Sequence, residues 1–214
     1  LKTLQKSLIF DSGYYSHVGF FIHKNDHKNT AYEIFKKDGP LAVLPSPYFN
    51  KKKSTFIYSS NKKISNAEIH SMIKKDFRLS HGSIVFDKTI YKYPVIPHLK
   101  KYDKNFIYTG DTLRSIHPVA GQGWNLGIKD IQTLCNLLDQ YSLGAKNFNS
   151  YYYSRRIIES TIYFSFTSFL NYLYESESDL NNKVIKFGYA GLKKIKLVRD
   201  LFIKQAMGRV NLTD

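Results

Sequence analysis

The sequence predicts an α+β fold, an antiparallel sheet followed by a helical region. Three observations carry that reading. Short β-branched and aromatic runs separated by turn clusters fill the first hundred residues, and apolar positions recur at helical spacing through the last third. Strands and helices also lack the regular alternation that parallel βαβ units require. With 214 residues, 43% of them hydrophobic, the chain can build a core.

The elements follow in order. YSHVGFFIH (15–23), TAYEIFK (30–36), LAVLP (41–45) and STFIYSS (54–60) are strands, divided by the turn clusters KNDHKN and KKDGP. NAEIHSMIKKDF (66–77) sets Ile69, Met72, Ile73 and Phe77 on one helical face, which covers or borders the sheet. IYKYPVIP (90–97) is an edge or terminal strand, because Pro94 and Pro97 cannot donate to a ladder. NFIYT (105–109) reads as a further strand, followed by a glycine-rich stretch and a helix over about 124–141. An aromatic-rich helix over 151–174 and one or two helices over 180–207, broken near Gly188 and Gly191, complete the chain.

The formal charge of +15 comes from 32 Lys+Arg against 17 Asp+Glu. Only six of those cations are arginines, which weakens a nucleic-acid reading, since phosphate and base contacts favour the planar guanidinium fork. A compositional bias spread over the chain is the first explanation, a surface for anionic lipid headgroups the second, and a nucleic-acid partner the third. The single cysteine, Cys135, excludes an internal disulfide, and IQTLCNLL suggests a buried small hydrophobe there. The longest apolar-rich stretch (160–174) is interrupted by Ser, Thr and Asn and is too short to span a bilayer. The first residue is leucine, from which removal of an upstream segment is expected.

Chemistry concentrates in GDTLRSIHPVAGQGWNLGIKD (110–130). Asp111, after an apolar run, can accept hydrogen bonds from sugar or ribityl hydroxyls at the carboxyl edge of a sheet. Gly121, Gly123 and Gly127 remove side chains so that backbone can approach a planar or phosphorylated ligand, and the stretch feeds a helix N-terminus that favours negative charge. Taken alone, the glycines match neither the GxGxxG dinucleotide fingerprint nor a Walker loop; a turn is the simpler reading of them, an N-cap of Asp111, and a satisfied loop position of His117.

The complete string GDxxxxxHPxxGQGxNxGxxDxxxL resembles the second flavin-binding motif of the FAD-dependent aromatic monooxygenases, above all the ubiquinone-biosynthesis hydroxylases. GPLAVLPSP (39–47), YYYSRR (151–156) and LFIKQAMG (201–208) resemble further segments of that family, in family order. The resemblance implies an antiparallel substrate-domain sheet joined to the C-terminal helical part of a flavin monooxygenase FAD-binding domain. It divides the chain into a partial substrate-binding sheet domain (1–100), a second FAD motif of strand, loop and helix (101–145) and a C-terminal helical region (146–214). It implies FAD as cofactor and NAD(P)H as electron donor. The cofactor-binding residues it implies are Gly110, Asp111, Pro118, Gly121, Gln122, Gly123, Trp124 and Asn125. Asp111 would hold the ribityl or phosphate end, Pro118 would line the reactive edge of the ring, and the N–H groups of Trp124 and Asn125 would face the pyrimidine oxygen. No catalytic side chain and no metal ligand is assignable, because the flavin supplies the reactivity.

The activity so implied is hydroxylation, with O2, of the aromatic ring of a polyprenylated phenol in ubiquinone biosynthesis. The family's usual GDAAH is here GDTLR, in which Leu113 adds bulk near the cofactor and Arg114 adds a cation that pairs with a phosphate or points to water. No GxG precedes residue 121, so the sequence is expected to be the C-terminal part of a longer or split protein, inactive and weak in FAD binding alone. Tyr32 and Phe35 read equally as core or as pocket lining.

The alternatives are a non-catalytic isoprenoid- or lipid-binding accessory protein on the same fold, and a related flavin reductase or epoxidase. His23 and His27 read as solvated turn histidines without a third metal ligand, and Lys51–Lys53 as a solvated loop. Leu192, Ile195, Val198 and Phe202 form one face of a basic C-terminal helix, for which core packing outweighs peripheral membrane contact. The expected location is cytoplasmic, peripheral at a bacterial inner membrane, or on the matrix side of a mitochondrial one. Partners in that setting include other ubiquinone-biosynthesis proteins and exclude nucleic acid.

Overall fold

A computed structural model of the chain describes residues 7–10, 12–46, 51–118, 121–142, 145–175, 178–194, 196 and 200. The chain divides into two compact units, Ser12–Val95 in one, Leu1–Asp11 with Ile96–Asp214 in the other. The sequence-based division at residue 100 thus lies a few residues after the observed one, and the first residues belong with the later unit.

The Ser12–Val95 unit is a sheet covered by one helix. Its strands are β2 (Tyr15–His23), β3 (Tyr32–Lys36), β4 (Gly39–Pro45), β5 (Lys53–Ser60) and β6 (Ile84–Phe86), numbered after the N-terminal β1 (Ser7–Ile9) of the other unit. They lie in the order β3-β4-β5-β2-β6, and β7 (Tyr91–Pro94) also pairs with β2; every pairing is antiparallel. Alternation along β2 sends His17, Phe21 and His23 to the buried face, and the register carries Leu41, Val43, Phe56 and Tyr58 to the same side. Helix α1 (Asn66–His81) closes that side with Ile69, Ile73 and Phe77. Each such side chain contributes about 1.5–3 kcal/mol on full burial. Ser65 starts the helix with a capping box: its hydroxyl accepts from the Glu68 N–H at 3.3 Å, and the Glu68 carboxylate accepts from the Ser65 N–H at 2.8 Å. Tyr32 joins the core edge-on to Phe77, whereas Phe35 is out of phase with it by three residues of strand.

In the other unit β1 and β9 (Arg114–Ser115) flank β8 (His98–Lys100) in a three-stranded antiparallel sheet. Among the described residues three helices follow: α2 (Gly123–Gln140), α3 (Phe148–Glu175) and α4 (Asp179–Lys194). Leu126 packs with Ile116 and Tyr163, and Leu137 with Phe148 and Tyr152, so α2 and α3 share a core.

Four expectations are corrected. NFIYT forms no strand: Ile107 packs against the Leu137 cluster, and the Tyr108 carbonyl accepts the Tyr152 hydroxyl at 3.0 Å, so tertiary contacts take the place of a ladder. Helix α4 runs through Gly188 and Gly191 without a break, since a helical glycine costs only about 1 kcal/mol. Cys135 is exposed, because it lies on the side of α2 opposite Leu126 and Leu137. His23 and His27 are buried, not solvated; His23 is in phase with Phe21, and its ring meets those of His81 and His27 at 4.5 and 5.9 Å. The segment LFIKQAMG and the face of Leu192, Ile195, Val198 and Phe202 lie outside the residues and side chains described.

Candidate functional site

The glycine-rich stretch begins in a 3-10 turn, Gly110–Thr112, where the sequence suggests the end of a strand. Gly110 has φ +54°, a left-handed conformation that L side chains rarely adopt, and a Cβ on it would meet nothing within 4 Å. From there the chain runs through β9 to His117 and Pro118, whose carbonyl accepts the Gly121 N–H at 3.0 Å, and enters α2 at Gly123. Gly127 lets α2 approach the turn: a Cβ there would sit 3.6 Å from the Gly110 Cα.

The residues named from sequence fall on one connected feature. Asp111 is exposed beside the start of α2, with its Oδ1 4.0 Å from where a Gly123 Cβ would stand. Gln122 occupies the N-cap position of α2, and its side chain makes no capping bond but accepts instead from the Asn125 side-chain amide at 2.9 Å. Pro118 is half-buried, Gly121 exposed with φ +59°, and Trp124 79% exposed. Uncapped helix N–H groups, an adjacent exposed carboxylate and open backbone at Gly110 and Gly121 form a polar cradle at a helix N-terminus. His117 is buried, and desolvation pushes its imidazole down to about 4, so it is neutral at neutral pH.

Beneath the turn lies a set of charges that sequence reasoning did not find. Asp130, fully buried on α2, accepts the Gly110 N–H at 2.7 Å. The same carboxylate accepts both Arg114 prongs, at 2.8 and 2.9 Å, and Arg156 Nε at 2.8 Å. Arg156 donates onward to Glu159 at 2.5 Å, and Lys129 donates to Glu159 at 2.7 Å. Burial pushes the Glu159 carboxyl up, but Lys129 and Arg156 outweigh it and hold the group below its ordinary value. For Arg156 burial likewise opposes the charge, and Asp130 and Glu159 outweigh it. Arg114 therefore neither meets a phosphate nor points to water, and Leu113, 1% exposed, turns into the core rather than toward a ligand. The available signal was Arg156 and Glu159, three apart on the face of α3 that also carries Tyr152 and Tyr163.

No group of described residues has the makeup of a metal site, and no helix among them is long and apolar enough to cross a membrane. No family model matches the chain. It is 23% identical to ubiquinone hydroxylase UbiL of Rhodospirillum rubrum over 205 residues, 89% of this chain and 47% of that protein. It is 29% identical to 3-demethoxyubiquinol 3-hydroxylase of Escherichia coli over 126 residues, 54% of this chain and 31% of that protein. The chain resembles the ubiquinone hydroxylases. It spans about half or less of the length of these curated relatives. Among solved structures it superposes on the flavin-dependent brominase Bmp2 with TM-score 0.69 at 12% identity, over 97% of this chain and 55% of that one. On p-nitrophenol 4-monooxygenase PnpA of Pseudomonas putida the score is 0.65 at 16% identity, over 95% and 54%. The fold is that of part of a flavin-dependent monooxygenase or halogenase.

The residues present fit a flavin nucleotide. The N–H groups of α2, the open main chain of Gly110 and Gly121 and the Asp111 carboxylate offer donors to anionic oxygens and an acceptor for hydroxyls, with no side chain rising from the two glycines.

Proposed function

We propose that this chain carries part of the FAD site of an aromatic-ring monooxygenase of ubiquinone biosynthesis, acting on a polyprenylated phenol. The observation that carries it is the pairing of the uncapped α2 N-terminus with exposed Asp111, on a fold whose curated relatives are ubiquinone hydroxylases. When bound, FAD would supply the redox and oxygen chemistry with NAD(P)H and O2.

The chain's own residues bind and orient. Asp111 would accept from the ribityl or phosphate end, and the Trp124 and Asn125 N–H groups, at the positive end of α2, would stabilise negative charge on the pyrimidine oxygen. Pro118 would line the ring edge, and Gly121, Gln122 and Gly123 would give the backbone its close approach. The departure GDTLR, which favoured a non-catalytic accessory protein, does not oppose this reading, because Leu113 and Arg114 both turn inward. Contact with an anionic bilayer at an inner membrane, beside other ubiquinone-biosynthesis proteins, belongs to the same proposal. The net charge of +15 supports it, as do exposed Leu180, Val184 and Phe187 beside exposed Lys183 and Lys186 on α4.

The test is to isolate the protein from its native source through this chain. Released FAD, NAD(P)H consumption and addition of one oxygen to a prenylated phenol are the expected results. Absence of flavin from an assembly that contains the remaining length of the relatives would overturn the proposal.

A further inference from the structure

The side chains that helix α3 buries are largely polar, and those it exposes are largely apolar. Arg156, Glu159, Ser160 and Thr167 face inward beside Tyr152 and Tyr163, and the two hydroxyls donate to the carbonyls of Arg156 and Tyr163 one turn back. Tyr151, Ile158, Ile162, Phe166, Phe169 and Tyr172 face outward, each 40–60% exposed. A surface helix packed on a core ordinarily shows the reverse arrangement. Single exposed hydrophobics need no explanation, but this group forms a continuous patch along one helix.

The spacing of the patch is that of a helix pair. Residues 151, 155, 158, 162, 165, 169 and 172 follow one another in alternating steps of four and three, the 3.5-residue repeat of a coiled-coil seam, and all are exposed. At 100° per residue they stay within an arc of about 100° over a length of about 31 Å. The seam reads Tyr, Arg, Ile, Ile, Ser, Phe, Tyr, so Arg155 is its one charge, and that guanidinium makes no ion pair among the described residues. An anionic membrane calls for cations flanking an apolar face, whereas Ser154, Thr161 and Ser168 flank this one.

What the seam fits is its own reverse. In a parallel pair Arg155 would meet a second Arg155, a repulsive contact at the centre of the interface. Reversing one helix exchanges the two kinds of seam position, and one register then sets Arg155 over the partner's Tyr172 ring, Ile158 against the partner's Phe169 and Ile162 against the partner's Ser165. Two-fold symmetry makes each contact twice. Covering the exposed halves of four aromatic and two isoleucine side chains removes on the order of 500 Å² per copy from water, close to the lower limit for a specific interface, so the association depends on concentration.

We infer that the exposed face of α3 is a self-recognition surface on which a second copy of this chain docks antiparallel, with Arg155 of each copy over the partner's Tyr172. The inference is independent of flavin binding.

Two differently tagged copies of the full chain, produced together in its native source, test the pairing. They are expected to copurify, and Ile162→Asp, at an exposed position, is expected to weaken the association about thirtyfold or more while leaving the circular dichroism unchanged. With Cys135→Ser in both copies, Ile158→Cys in one and Phe169→Cys in the other are expected to form an intermolecular disulfide, and Ile158→Cys in both is expected to form none. Tyr172→Arg, which brings two guanidinium groups together, is expected to weaken pairing about tenfold, and adding Arg155→Tyr is expected to restore it. Copies that stay apart at the highest attainable concentration overturn the inference, as does association that survives Ile162→Asp. A disulfide in the doubled Ile158→Cys pair, failure of the exchanged pair to rescue, or capture of lipid or of a different polypeptide by a photo-crosslinker at Ile162 overturns it as well.

Discussion

Arg114 and Asp130, sixteen residues apart, meet in a two-pronged buried ion pair at 2.8 and 2.9 Å directly beneath the Gly110 turn. Because Asp130 also takes Arg156 and the Gly110 N–H, its removal strands two buried guanidinium groups and a backbone donor. Asp130→Ala is expected to cost about 3–5 kcal/mol in urea unfolding. Arg114→Met, which leaves Arg156 to balance Asp130, is expected to cost less, about 1–3 kcal/mol. Equal and negligible costs for both would show that the cluster does not hold the turn.

Asp111 offers the opposite test. Its side chain is exposed and makes no structural ion pair among the described residues, so Asp111→Ala is expected to change stability by no more than about 0.5 kcal/mol. In the flavin-bound assembly the same substitution is expected to weaken FAD retention by about tenfold, the loss of one charge-assisted hydrogen bond. Equilibrium dialysis against FAD, with variant and parent side by side, reads the difference.

The histidines of the sheet unit set a pH dependence. Desolvation, reinforced by His23 and His27, lowers His81 to about 4 from its ordinary 6.5, and desolvation lowers His23 as well. Between those values the unfolded chain binds more protons than the folded one, so stability is complete above pH 6.5 and falls as pH drops toward about 4. Buried His117 acts in the same direction in the other unit. His81→Phe is expected to flatten the slope in denaturant titrations across that range; an unchanged slope would assign the loss to other groups.

Gly39 opens β4 with φ +131°, and a Cβ on it would stand 1.9 Å from the Ser59 carbonyl oxygen of the neighbouring β5. Gly39→Ala is expected to destabilise the sheet unit by about 3 kcal/mol or more, from left-handed strain and a backbone clash together. Amide exchange should locate the loss in β4 and β5 and leave α2 and α3 unaffected.

Local signals were legible in the sequence where one surface decided the structure. The alternation of YSHVGFFIH marks β2 at both ends, and the run from Asn66 marks α1 from its first residue. NFIYT has strand composition, yet its backbone is served by Tyr152 of a distant helix, a partner that no local pattern announces. His27 sits in a turn, as its neighbours indicate, but is buried with its ring near that of His23, which in turn meets His81, more than fifty residues away. The charge cluster was hidden for the same reason: its bonds span 16, 26 and 30 residues, and of the bonded side-chain pairs only Arg156 and Glu159 share a helical turn. The glycines and Asp111 were readable as one connected turn and helix start because their spacing along the chain is itself the feature.

The cluster under Gly110 also bears on how a nucleotide would be received. Asp130 draws its counter-charges from Arg114 and Arg156, so the turn keeps its shape without help from any ligand. The entropy of ordering that loop is settled when the chain folds, and an arriving molecule meets a preorganised seat. Feeble affinity in the chain by itself would then reflect too little contact area, a deficit curable by supplying more surface without altering a single residue of the loop.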